Sequence, residues 1–187
     1  MSEATFTFSP ENAERARTII ARYPHGRQAS AVLPLLDLAQ RQCGNWLPQP
    51  AIEHVAAVLG LAPLRVMEVA RFYSMFNHKP VGRAFVQLCR TTPCWLRGSD
   101  ELLAAYKKHT GCGAKQTTPD GSFTLIEVEC LGTCSNAPAV QINDDFYEDL
   151  TPETFTAVLE ALERGEKPKP GSQVGRVSSE PLGRDGE

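Results

Sequence analysis

The sequence predicts a chain of mixed class, α+β or α/β, in which a small helical bundle precedes a strand-and-helix layer domain. Three observations predict it. Apolar residues recur at helical spacing in four stretches before residue 77. From Arg83 the apolar spacing shifts to a period of two. Two of the strands marked in this way run straight into a pair of closely spaced cysteines.

The helical half comes first. Ser9-Pro10 opens the first helix, with Ser9 as N-cap and Pro10 at the first helical position, where its missing N–H costs little. Ala16, Ile19, Ile20 and Tyr23 follow at helical spacing, and Pro24-His25-Gly26 ends the element. A second helix spans residues 31–42, with Val32, Leu35, Leu36 and Ala39 as its stripe and Pro34 in its first turn. A third follows Pro50, with Ile52, Val55, Ala56 and Leu59 on one face and Gly60 as its stop. The fourth starts at Pro63 and carries Val66, Val69, Ala70 and Tyr73. Short amphipathic helices with short links make a small bundle, assigned to residues 1–80. Phe72-Tyr73-Ser74-Met75-Phe76 is apolar enough to be covered, either by the helical core or by a partner or the second domain.

The polar stretch Asn77-His78-Lys79-Pro80-Val81-Gly82 marks the boundary, and residues 81–163 form the second domain. Ala84, Val86 and Leu88 share one strand face, and that strand ends at Cys89. A helix starts at Gly98-Ser99, with Ser99 as the expected cap. Asp100 and Glu101 suit its positive end, Lys107, Lys108 and His109 its negative end, and Gly111 stops it. Thr118-Pro119-Asp120-Gly121 is a turn. The strand from Phe123 to Glu129 places Thr124, Ile126 and Val128 on one face and Glu127 and Glu129 on the other, then meets Cys130. A hairpin follows, Ala139 to Ile142 and Phe146 to Leu150 around Asn143-Asp144-Asp145. Thr151-Pro152-Glu153 opens a last helix with Phe155, Val158, Leu159 and Leu162 inward. Residues 164–187 turn to Gly, Pro, Ser and charge without apolar periodicity, which predicts a flexible or partner-ordered tail.

Composition narrows the function. A formal charge of −3 lacks the basic excess of a general nucleic-acid binder. No apolar run approaches the roughly 20 residues that cross a bilayer, so no membrane insertion is expected. Met1-Ser2-Glu3-Ala4-Thr5 has no basic segment followed by an apolar core, so no secretory signal is expected either, and a reducing compartment, most simply the cytoplasm, is the expected setting. There, close cysteine pairs serve as metal ligands or redox groups rather than structural disulfides.

Four cysteines meet that description. Cys89 and Cys94 are separated by four residues, Cys130 and Cys134 by three, and 35 residues lie between the pairs. Both pairs leave the C-terminal ends of strands, where open α/β sheets place their sites. Several chemistries compete for such a set. A [2Fe–2S] cluster takes four thiolates, two on each iron, and two two-cysteine loops supply that division. Structural zinc also takes four cysteines, but its usual signature is a C-x2-C knuckle. A dithiol oxidoreductase carries C-x-x-C at a strand–helix junction, and neither pair has that spacing. Spacing ranks the cluster first and leaves zinc open. Gly132 lets the backbone approach closely and Pro93 stiffens the first loop, although both, like Pro138, also suit plain turns. Cys43 and Cys112 have no cysteine close in sequence and read as ordinary free thiols. His25, His54 and His78 are scattered and read as packing or surface residues.

Cys89-Arg90-Thr91-Thr92-Pro93-Cys94-Trp95-Leu96-Arg97-Gly98 and Glu129-Cys130-Leu131-Gly132-Thr133-Cys134-Ser135-Asn136-Ala137-Pro138 resemble the thioredoxin-like [2Fe–2S] subunit family of respiratory complex I, found in the bacterial NADH:quinone oxidoreductases and their mitochondrial counterpart. Val66-Met67-Glu68-Val69-Ala70-Arg71-Phe72-Tyr73-Ser74-Met75-Phe76 is similar to the segment before the ferredoxin domain in that family. The resemblance covers residues 10–163. It implies a helical N-terminal domain, a thioredoxin-like domain, and one [2Fe–2S] cluster ligated by Cys89, Cys94, Cys130 and Cys134. It implies a partner subunit that binds NADH and FMN, further iron–sulfur subunits of a peripheral arm, and a cytoplasmic position at the inner face of the cell membrane. Hydride chemistry would belong to the partner's flavin, and no GxGxxG follows a strand here. No residue of this chain is needed as a general acid or base, so no catalytic residues are expected. Two other functions fit the same loops: the equivalent subunit of a soluble NAD-dependent hydrogenase or formate dehydrogenase, and a zinc-stapled interaction module.

Overall fold

The computed structural model describes residues 5–178. It divides into two compact units, the first ending at Val81 and the second beginning at Gly82.

The first unit is helical. Helix α1 (Pro10–Ala21) starts as its sequence requires: the Ser9 hydroxyl accepts the Asn12 amide at 3.2 Å, and Pro10 takes the first position. A 3₁₀ turn over Gln28–Ala31 leads into α2 (Val32–Gln42), so the expected start at residue 31 falls in that turn. Helices α3 (Gln49–Leu59) and α4 (Pro63–Phe72) follow, and Gly60 ends α3 in the left-handed region at φ 64°. Leu35, Leu36 and Ala39 of α2, Ile52, Val55 and Ala56 of α3, and Val66 and Ala70 of α4 form the buried core. The aromatic stretch after α4 splits: Phe76 joins that core, whereas Phe72, Tyr73 and Met75 are exposed.

One buried polar side chain holds the chain beyond α4. Gln40 accepts the Asn77 amide at 2.7 Å and donates to the Met75 carbonyl at 3.0 Å. Replacing it with leucine leaves both backbone groups unpaired, at a cost of about 2 kcal/mol. Hydrogen exchange is the check: protection of the Asn77 amide is expected to fall about 30-fold in Gln40→Leu, from the tenfold per 1.4 kcal/mol scale.

The second unit is a five-stranded sheet in the order β2-β1-β3-β4-β5. Its strands are β1 (Ala84–Cys89), β2 (Phe123–Val128), β3 (Val140–Ile142), β4 (Asp145–Glu148) and β5 (Gly171–Ser172). The β1–β2 pair is parallel, with Ala84 opposite Phe123 and Cys89 opposite Val128. Strands β3 and β4 form the expected antiparallel hairpin, and β3 runs antiparallel to β1. Among the described residues three α-helices complete the unit: α5 (Thr92–Leu96), α6 (Ser99–Thr110) and α7 (Pro152–Glu163). Thr151 and Thr154 cap α7 reciprocally through their side chains and backbone amides. Leu102 and Tyr106 of α6 and Phe155, Val158 and Leu159 of α7 pack with Val86, Leu88, Phe123, Leu125, Val140 and Ile142 of the sheet.

Several sequence expectations are corrected. The core residues of β2 are Phe123 and Leu125, the phase shared with Glu127. Thr124 on the other phase is buried too, but through polar contacts with Thr117 at 2.8 Å and the Gly82 amide at 2.6 Å. Ser99 does not cap α6: Gly98 holds the cap position at φ 104°, and the Ser99 side chain is buried. The stretch from residue 164, expected as a flexible or partner-ordered tail, returns to the sheet within this chain as β5, parallel to β4, with Tyr147 opposite Gly171. Backbone pairing and side-chain hydrogen bonds hold it, which apolar periodicity does not register. Residues 179–187, the rest of that expected tail, lie outside the described residues. No helix among the described residues is long and apolar enough to cross a membrane.

Candidate metal centre

Parallel pairing of β1 and β2 brings two chain exits to the same end of the sheet. Cys89 is the last residue of β1, and Cys130 lies two residues beyond β2. The connection after Cys89 is a one-turn helix rather than an open loop. Thr91 precedes α5, Pro93 sits in its first turn, and Cys94 lies buried on it. The pattern Thr-Thr-Pro is a helix start, a signal masked by the shortness of the element. The second connection turns at Gly132, whose φ of +83° few side chains tolerate, and enters a 3₁₀ turn at Cys134–Asn136.

The four thiols form two pairs of unequal exposure. Cys130 and Cys134 sit with their sulfurs 3.3 Å apart and are exposed. Cys89 and Cys94 are buried with Ala137 and Ala139, and Leu131 packs against them. No three His, Cys, Asp or Glu side chains among the described residues converge as ligands for a single ion. All six cysteines are free thiols.

Each pair is electrostatically split. Burial opposes ionisation of Cys89, but hydrogen bonds from the Thr91 hydroxyl, the Thr91 and Leu131 amides and Cys94 outweigh it, so its pKa falls. Burial pushes Cys94 up to about 12, against the Ala139 amide and with the Cys89 charge adding to the rise. The Gly132 amide, 3.3 Å from the Cys130 sulfur, leads in lowering Cys130, with Cys134 second. Its hydrogen bond to Cys130 raises Cys134. One thiol in each pair is thus poised to ionise and then penalises its neighbour. A cation core removes that penalty, because it gives both sulfurs of a pair a shared counter-charge. Backbone amides already directed at sulfur suit a thiolate-bound cluster, whose sulfurs accept such hydrogen bonds.

Charged side chains brace the first connection. Arg90 bridges Asp100 at 2.5 Å and Glu127 at 3.1 Å, and the Trp95 indole donates to Asp100 at 3.0 Å. The other candidates take structural roles. His54 accepts the Phe8 amide at 3.3 Å and packs edge-on against the rings of Phe6 and Phe8, and His78 bonds the Ala70 carbonyl at 3.0 Å. His25 is exposed. Cys43 packs against the helical core and its pKa is raised by burial. Cys112 is half-buried, its amide held by the Thr110 hydroxyl at 3.1 Å.

Two parallel strands that each lead into a cysteine pair bring four thiols to one end of the sheet, the arrangement of a thiolate-ligated metal site. The family model described as thioredoxin-like [2Fe-2S] ferredoxin matches residues 16–163, and the chain belongs to that family. It is 55% identical over 157 residues to an NADH-quinone oxidoreductase subunit of Rickettsia bellii, covering 84% of this chain and 94% of that protein. It is 49% identical over 175 residues to the mitochondrial NADH dehydrogenase [ubiquinone] flavoprotein 2 of Dictyostelium discoideum, covering 94% of this chain and 71% of that protein. Among solved structures, an NAD+-reducing [NiFe]-hydrogenase shares the fold with a TM-score of 0.61 at 22% identity, over 70% of this chain and 23% of that longer one.

Proposed function

We propose that this chain is the electron-carrying subunit of an NADH:quinone oxidoreductase, with Cys89, Cys94, Cys130 and Cys134 holding one [2Fe–2S] cluster. The observation that carries the reading is the 55% identity to the Rickettsia bellii protein, which runs through 94% of that protein and so takes in both the helical and the cysteine-bearing parts. The two thiol pairs support it, since a two-iron core takes two thiolates on each iron. When bound, the cluster supplies a one-electron redox couple.

The chain's own residues supply the setting. Cys89 and Cys94 anchor one side, buried in an apolar cluster with Ala137 and Ala139. Amides of Thr91, Leu131, Gly132 and Ala139 favour ionised sulfur and so favour the metal. Cys130 and Cys134 leave the other side open to solvent, where a partner exchanges electrons. That partner is the NADH- and FMN-binding subunit, on whose flavin the hydride chemistry occurs. Further iron–sulfur subunits of the peripheral arm complete the assembly, which sits on the cytoplasmic face of the membrane.

The test is affinity purification of the tagged chain from detergent-solubilised membranes. Co-purification with a flavoprotein and membrane subunits is expected, with NADH reducing the cluster in the complex but not in the isolated chain. The fold shared with the NAD+-reducing hydrogenase favours a second reading, a soluble NAD-dependent enzyme. Recovery with soluble hydrogenase or formate dehydrogenase subunits and no membrane subunit would select it. Zinc without sulfide or flavoprotein would contradict both.

A further inference from the structure

We propose that residues 171–177 form a clasp that positions the turn carrying Cys134, with Arg176 as its main positioning residue. This rests on the reading of Cys130 and Cys134 as cluster ligands.

The clasp is built from the sheet edge outward. Strand β5 pairs with β4, and the Gln173 amide donates to the Glu148 carbonyl at 2.9 Å. The Ser172 hydroxyl donates to Asp149 at 2.6 Å. Arg176 then spreads over three acceptors: Asp149 at 3.0 Å, the Ser135 carbonyl at 3.1 Å and the Asn136 side-chain carbonyl at 2.8 Å. The Asn136 amide group donates to the Val177 carbonyl at 2.8 Å and to Glu148 at 2.7 Å. Both ends of the Asn136 side chain are therefore engaged by residues 176–177, and Asn136 is only 3% exposed. Ser135 and Asn136 directly follow Cys134 in one 3₁₀ turn. The direction of the Cys134 side chain depends on that turn, and the turn is tied to the clasp.

Arg176 is half-exposed, and an ordinary surface ion pair contributes little. Two features set this one apart. The planar guanidinium meets three fixed acceptors from two separate nitrogens, Nη1 on Asp149 and Nη2 on Ser135 and Asn136, a span that a single ammonium nitrogen does not cover. The Asp149 side chain is 5% exposed, so losing Arg176 strips a partner from a buried carboxylate. Outer-shell partners that orient ligands typically change metal affinity 10- to 100-fold.

The test uses the full-length cluster-loaded chain and two readouts: iron release to a chelator, and the EPR g-values of the reduced cluster. Arg176→Ala is expected to release iron about tenfold faster and to alter the g-values. Arg176→Lys, which keeps the charge but not the fork, is expected to behave similarly, and it carries the test if the alanine variant does not fold. Arg164→Ala is the control, because Arg164 pairs with Glu166 ahead of the clasp and touches none of its residues through that pair. Amide exchange in β1 and β2 should be unchanged throughout. Wild-type behaviour of Arg176→Ala, or full rescue by lysine, would overturn the clasp and leave the cluster reading intact. Absence of iron and sulfide from the wild-type chain would instead overturn the cluster reading itself.

Discussion

Cys89→Ser is expected to abolish the cluster, and Cys134→Ser to leave a weakened, spectrally altered one. The asymmetry follows from burial. Cys89 is buried in a cluster with Cys94, Ala137 and Ala139, where water cannot readily replace a lost thiolate. Cys134 is exposed beside Cys130, so water can complete the shell. Iron occupancy in Cys89→Ser should fall at least as far as the roughly 10- to 100-fold lost when an outer-shell partner is removed. Cys43→Ser and Cys112→Ser should keep the wild-type spectrum. Cys43 lies in the helical unit, and Cys112 follows α6 beside Thr110. Visible absorbance and EPR on the set decide it. Loss of the cluster in Cys112→Ser with retention in Cys94→Ser would mean a different ligand set.

Gly82→Ala is expected to produce the largest loss of stability among single substitutions at glycine. A Cβ at Gly82 would stand 2.4 Å from the Phe123 carbonyl carbon and 2.7 Å from the Phe123 N and Cα atoms. Those are backbone atoms, so no rotamer change relieves the clash. Strand β2 must move away from β1, which also breaks the 2.6 Å bond from the Gly82 amide to Thr124. Overpacking of this kind costs about 3 kcal/mol. These two strands deliver Cys89 and Cys130, so cluster reconstitution should weaken in parallel. Gly113→Ala is the control: its Cβ would meet only the Gln116 side chain, at 3.6 Å, and a change within about 0.5 kcal/mol is expected. Urea unfolding of both variants checks the pair. An unchanged midpoint for Gly82→Ala would refute the close strand approach.

The parts of the fold legible in the sequence are those with a repeating cause. The stripes of α2, α3 and α7 follow from the period of the helix, and Ser9-Pro10 and Gly60 punctuate it through cap chemistry. The four candidate cysteines stand out through spacing alone. Helix α5 escapes because five residues make little more than one turn, too few for an apolar stripe to repeat. The inward phase of β2 is ambiguous, since Phe123 and Leu125 alternate with Thr124 and Ile126, and a buried threonine satisfied by Thr117 does not look polar-out. The clasp is invisible for another reason. Its ion pair joins residues 27 positions apart, and β5 consists of a glycine and a serine. Deleting the stretch after residue 164, harmless to a site with a loose tail, is therefore expected to disturb this one.

The most direct test of the central claim is metal and sulfide analysis of anaerobically purified wild-type chain, with EPR after reduction. About two irons and two acid-labile sulfides per chain, with a reduced S = ½ signal, are the predicted result. About one zinc per chain, no sulfide and no signal would contradict it.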